Sequence, residues 1–366
     1  MSCGILFSMQ IHPRTEKLAK LVVKYSVDVK KGENVVISGS TEAEEFIRAL
    51  YREVLKAGGH PIMRVTLPGL THDFYTHASE HQISQYPIDY DFAVKNSAKF
   101  IGIDTRSNTR ELTNCDPTKI AKRSSVTHPI REYICNSRPK MCRVTVGYPC
   151  QALAQEAEMS LGEYENFVFD ACLQDWNRLS KLMKKILSKF KEGSQVHLLG
   201  EGVDLKMKVH GKLAKADDGL ENMPGGEVFM APVRESTNGW IKFDYPSVRD
   251  GKEVSGIELV FKDGKVVESK ASKNQDYLRK MLNIDKNASY VGELGIGCNP
   301  KVTKYTNNLL FDEKIGRTIH LALGAAYKDN GGGNDSVLHW DIVKSMKKAK
   351  IIVDGRVIQD KGVWKL

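Results

Sequence analysis

The spacing of apolar residues changes partway along the chain, and that change limits the folds open to it. Before Gly193, segments of helical spacing alternate with short continuous apolar runs. Leu18, Leu21, Val22 and Tyr25 recur at helical intervals, and Val35 to Ile37 then suits a short buried strand. Thr41 to Glu44 has the spacing of a capping box, Phe46, Leu50 and Val54 continue one helix face, and Gly58 and Gly59 end it. Ile62 to Leu67, Phe100 to Asp104 and Cys142 to Gly147 read as further strands, with helices around 117–135 and 151–190. Repeated β-α-β units imply a mainly parallel sheet covered by helices.

After Gly193 the strands shorten and turn residues multiply. Asp263-Gly264 and Asp354-Gly355 sit between β-rich runs and suit type I′ hairpin turns. One helix is expected at Tyr277 to Leu282. The fold class expected is therefore α/β: an N-terminal α/β domain with a mainly parallel sheet over residues 10–192, then a β-rich α+β domain over residues 193–366.

The 366 residues are 41% hydrophobic and 27% charged, enough for two sizeable cores. No apolar run approaches the ~18–20 residues that span a bilayer, so no membrane association is expected. The first residues, Met1 to Met9, lack a basic region and cleavage site, so no signal peptide is expected. Seven cysteines without a C-x-x-C pair read as reduced thiols of a cytoplasmic protein. The net charge of +9 arises from scattered lysines. The densest groups, Lys181 to Lys191 and Lys344 to Lys350, lack interleaved aromatics and read as solvated faces rather than a nucleic-acid site.

There is no H-E-x-x-H, G-x-S-x-G, P-loop or G-x-G-x-x-G. The second half instead carries a series of separated acids and histidines. Glu227 follows Gly225-Gly226 at a strand start, and Glu293 lies among glycines in Gly-Glu-Leu-Gly-Ile-Gly. His320 sits in the apolar run Ile319 to Leu323. His339 and Asp341 bracket Trp340, and in an extended chain they share one face. Together these side chains could hold two divalent cations, with one carboxylate bridging; imidazole suits zinc, cobalt or manganese. Each also has a structural reading. His320 could be a core histidine, Glu227 a turn residue, Glu313 a surface charge, and Tyr327 a helix-end aromatic.

The wording around these residues resembles the thermophilic aminopeptidase family, the aminopeptidase T and aminopeptidase S group. It runs through Pro224 to Pro232, Gly292 to Gly297, Phe311 to Ile315, Thr318 to Gly324 and His339 to Asp341, in the family's order, with Val27 to Ile37 matching upstream. The resemblance implies a metalloaminopeptidase with two divalent ions per chain (zinc, cobalt or manganese), acting on peptides with a free N-terminus through metal-activated water. It implies metal ligands at Glu227, Glu293, His320, His339 and Asp341, and an acidic position at Glu313 that could be a further ligand. Glu293 would also serve the water as a base, and Tyr327 would be the catalytic tyrosine. A homodimer with an enclosed site is implied as well.

Two departures from the family stand out. The Tyr327–His339 segment is short and glycine-rich where some members carry an insertion, and residues before Met9 do not match. Met9 could be the natural start, or residues 1–8 a disordered tail. Two rival functions follow from the same residues. His320, His339 and Asp341 alone would suit the single Fe(II) of a ring-cleaving dioxygenase, and the +9 charge alone would suit a basic nucleic-acid-binding protein.

Overall fold

The computed structural model describes residues 10–366 apart from 138 and 250. The alternatives for the start of the chain therefore lie outside the described residues. The chain divides into two compact units. The first comprises the described residues up to Gln155, together with 159–173 and 220–223; the second comprises 156–158, 174–219 and 224–366.

The first unit is built on β1 (Asn34–Ser40), β2 (His60–Thr66), β3 (Lys99–Asp104) and β4 (Cys142–Gly147). With the short strand Asn222–Met223 they lie in the order β2-β1-β3-β4-(222–223), every pair parallel. Val35, Val36 and Ile37 are fully buried, as expected of an inner strand covered on both faces. The helix Glu44–Lys56 buries Phe46, Ile47, Ala49, Leu50 and Val54 along one stripe.

The capping box expected at Thr41 to Glu44 does not form. A turn of 3-10 helix over Thr41–Ala43 precedes the α-helix, and neither Ser40 nor Ala43 makes a side-chain cap. Ser40 instead pairs its hydroxyl with that of Thr105 at 2.9 Å. This tertiary contact replaces the local cap.

The second unit contains two large antiparallel sheets. One has eight strands and includes both expected hairpins. Asp263 and Gly264 have φ of 48° and 80°, and Asp354 and Gly355 have 48° and 79°, the left-handed values a type I′ turn requires. The other comprises β5 (Lys215–Asp217), β6 (Glu227–Met230), β7 (Val291–Gly297), β8 (Thr318–Gly324) and β9 (His339–Ser345). Their spatial order is β9-β8-β7-β6-β5. All seven residues of β7 and all seven of β8 are buried, so both faces of the sheet centre are covered.

One lysine departs from the expected solvated face. Lys344, on β9, is buried, and its Nζ lies 3.2 Å from Asp244 Oδ2. Burial of a lysine requires such a partner. The six described cysteines are free; Cys150, Cys172 and Cys298 are buried.

Candidate metal centre

The register of the five-stranded sheet decides which side chains meet. Gly297 pairs with Glu227, Gly295 with His320, and Glu293 with Ala322. On the next strand, Ala322 pairs with Asp341 and Gly324 with His339. Residues directly opposite in an antiparallel pair share a face, as do residues two apart in one strand. Glu227, Glu293, His320, His339 and Asp341 therefore project from a single face. Leu294, Ile296, Ile319, Leu321 and Trp340 alternate onto the other and are buried. A bulge between Val291 and Glu293 resets the alternation, turning Val291 to the apolar face and Glu293 to the polar one.

The glycines make room for this cluster. A Cβ on Gly295 would lie 2.0 Å from the His320 ring, so any other residue there would displace the imidazole. Gly292, at the bulge, has Ala325 O within 2.2 Å of where its Cβ would stand.

Distances within the cluster are short. His320 Nε2 lies 3.3 Å from Glu293 Oε1 and 3.4 Å from Glu227 Oε2. His339 Nε2 lies 3.3 Å from Asp341 Oδ2. One donor atom from each of Glu293, His339 and Asp341 falls within 4.8 Å of the others, a spacing compatible with a shared cation. His339 Nδ1 is 2.9 Å from Ala325 O and donates to it, which directs Nε2 toward the cluster. Tyr327 is exposed, but its ring centroid lies 5.1 Å from that of His339.

Burial would strip the imidazoles of their protons, but the carboxylates outweigh it. Glu293, Glu227 and Glu313 lift His320 to about 9. Asp341 and Glu293 lift His339 to about 10, and in return His339 draws Asp341 down to about 2 against the effect of burial. Burial raises Glu293, and it raises Glu313 to about 7 despite Lys314. The cluster thus creates a strong local demand for positive charge.

The donor set fits divalent cations. Glu227 Oε2, Glu293 Oε2 and Asp341 Oδ1 are buried and make no hydrogen bond. Unpaired buried carboxylate oxygens are costly, and a cation satisfies them. Glu313 is close by, but its Oε2 is bonded to Lys314 Nζ at 2.8 Å. Lys314, whose ammonium also reaches Glu227 Oε1 at 2.9 Å, received no role from the sequence. A lysine beside a glutamate usually marks a surface pair, and nothing local signals its burial. Asn334 was also missed. Its Nδ2 donates to Gly324 O at 2.6 Å, and its backbone carbonyl accepts from Ala326 N at 2.9 Å, fixing the segment that carries Tyr327.

The buried carboxylate–imidazole cluster on the five-stranded antiparallel sheet has the donor set of a metalloprotein. The thermophilic metalloprotease (M29) family matches residues 11–364, and the chain belongs to that family. Aminopeptidase 2 of Geobacillus stearothermophilus is 24% identical over 93% of both chains. The expectation of a metal-dependent aminopeptidase stands on these matches. Among solved structures, wild-type AmpT from Thermus thermophilus superposes with a TM-score of 0.82 at 22% identity, covering 96% of this chain and 99% of that one. The expected α/β fold class with a β-rich second part agrees with that likeness. A 2,5-dihydroxypyridine dioxygenase from Pseudomonas putida shares the fold more distantly, with a TM-score of 0.58 and 12% identity over 96% of each chain.

Proposed function

We propose that the protein removes the N-terminal residue from peptides with a free N-terminus, using two divalent ions of the zinc, cobalt or manganese kind. Glu227, Glu293, His320, His339 and Asp341 would hold them, with Glu313 as a further acidic group at the site. The observation that carries this reading is the set of buried, unpartnered oxygens on Glu227, Glu293 and Asp341, sharing one face with two imidazoles. Glu293 lies near both His320 and the His339–Asp341 pair, so it would belong to the ligand set of either. Three carboxylates around two imidazoles exceed what a single Fe(II) with a two-histidine, one-carboxylate set requires, which favours the peptidase over the dioxygenase.

Bound divalent ions polarise a carbonyl and lower the pKa of water toward ~7. The chain's own groups do the rest. Glu293 accepts the proton of the attacking water and passes it toward the leaving amine. Tyr327 stands at the edge of the cluster, its ring centroid 5.1 Å from that of His339. Its phenol can therefore donate to the oxyanion as the carbonyl becomes tetrahedral. The substrate's α-amino group needs a carboxylate or a metal beside it, and a site that offers both selects the chain end. The same proposal includes a cytoplasmic homodimer; light scattering on the purified protein would test the dimer.

Digestion of a Leu-led tripeptide and its N-acetylated form tests the reaction. Loss of a charge-assisted hydrogen bond is worth ~1.5–3 kcal/mol, roughly ten- to hundredfold, before any clash of the acetyl group. Stepwise shortening of the free peptide and an inert blocked one are expected by mass spectrometry. Equal cleavage of both, or first cuts at internal bonds, would exclude an aminopeptidase.

A further inference from the structure

We propose that Lys314 is a positioning residue for the metal centre: it holds one oxygen of Glu227 so that the other faces His320, and Glu313 anchors its ammonium. The proposal rests on the function proposed above and assigns roles around that site.

Lys314 is 1% exposed, which places it among the largest fully buried side chains of the described residues. A buried ammonium is expensive unless it is paired and hydrogen-bonded. Both partners here are carboxylates, Glu227 Oε1 at 2.9 Å and Glu313 Oε2 at 2.8 Å. A lysine suits this place because its compact ammonium carries several rotatable donors and can serve two carboxylates at once, where a guanidinium prefers one in a planar fork.

The two oxygens of Glu227 are thereby given different tasks. Oε1 is occupied by Lys314, whereas Oε2 lies 3.4 Å from His320 Nε2 and has no hydrogen bond. A glutamate side chain has enough torsional freedom to swing a free carboxylate away from a site or present both oxygens to it. The ammonium removes that freedom.

The backbone is tied into the same arrangement through Asn299, which is fully buried. Asn299 N bonds Lys314 O at 3.0 Å, and Asn299 Nδ2 bonds Gly225 O at 3.0 Å, two residues before Glu227. Gly226 packs so closely that a Cβ there would lie 2.6 Å from the Asn299 Cβ. Lys314 and the strand start that carries Glu227 are thus held in fixed register. Glu313, already bonded to Lys314, acts on Glu227 through it.

Two effects of removing the ammonium oppose one another. Repulsion toward a cation would fall, which favours metal binding, and Glu227 would lose its fixed orientation, which weakens it. Removal of such an outer partner of a ligand commonly costs 10–100-fold in metal affinity. Orientation is therefore expected to dominate.

The test uses the full chain, stripped of metal and titrated with Zn(II) against a chromophoric chelator, with Co(II) visible spectra alongside. Wild type is expected to take two equivalents. Lys314→Met is expected to bind one of the two roughly 10–100-fold more weakly and to change the Co(II) spectrum, with its fold checked by circular dichroism. Glu313→Gln keeps a side-chain carbonyl for the ammonium and is expected to retain both equivalents. This arm stands even if Lys314→Met does not fold.

Binding by Lys314→Met that is unchanged or tighter, with an unaltered spectrum, would overturn the positioning role and leave the proposed function intact. Loss of an equivalent in Glu313→Gln would make Glu313 a direct ligand instead of an anchor and overturn that assignment. Absence of zinc binding by wild type would remove the metal-centre reading itself, and this proposal with it.

Discussion

Gly295 lies directly across the strand pair from His320, and a Cβ built on it would fall 2.0 Å from the imidazole Nε2 and Cε1. The glycine on β7 thus makes the space that the histidine on β8 occupies. Ala322 and Gly297, on the same face, keep that space shallow next to Glu293, Asp341 and Glu227. Small residues at alternate positions let large polar groups converge from neighbouring strands.

Gly295→Ala is accordingly expected to push the His320 ring out of the cluster. Overpacking of this kind costs ~1–3 kcal/mol of stability. Displacement of a ligand should also weaken metal binding by at least tenfold, on the scale of lost outer-shell support. Thermal melting and metal content of the purified variant check both. A variant that retains full zinc and wild-type turnover would show that His320 can move without consequence.

Metal removal should abolish activity reversibly. Dialysis against a strong chelator is expected to leave an inactive protein that zinc, cobalt or manganese restores, with about two ions per chain by elemental analysis, as the donor set of two imidazoles and three carboxylates allows. Full activity in chelator with no metal detected would rule out the dinuclear centre.

Glu293→Gln preserves shape but removes the ability to accept a proton. General-base loss alone reduces turnover by ~10²–10⁴-fold. Circular dichroism should be unchanged, since the amide can still accept from His320 Nε2, which lies 3.3 Å from Oε1 in the wild type. Turnover within threefold of wild type would remove Glu293 from the chemistry.

Tyr327→Phe deletes a donor whose bond is proposed to form as the carbonyl becomes tetrahedral. Its ring is exposed, so stability should hardly change. A fall in kcat much larger than any rise in KM is expected, because a bond made only in the transition state does not contribute to substrate affinity. An effect confined to KM would make Tyr327 a substrate contact.

Much of the fold was legible in the sequence because its determinants are local. The strand Cys142–Gly147 and the two Asp-Gly hairpins follow from alternation and turn chemistry that a few neighbouring residues decide. Glu227, Glu293, His320, His339 and Asp341 stood out as chemically suited groups, and the pairing of His339 with Asp341 follows from the two-residue period of one strand.

Their convergence was not legible. It depends on the register between strands separated by many residues and on the bulge at Gly292 that turns Glu293 to the polar face. A one-residue slip would send every ligand candidate on a strand to the opposite face. The same holds for single charges. Lys344 read as part of a solvated face and Lys314 received no role, yet both are buried, because carboxylates from distant segments, Asp244 and Glu227, meet them in the folded chain. Sequence by itself determined which elements form and which residues could do chemistry, since propensity and side-chain type are local properties. Tertiary structure alone decided which of those residues share a face and which charges lose their water, since both depend on long-range packing.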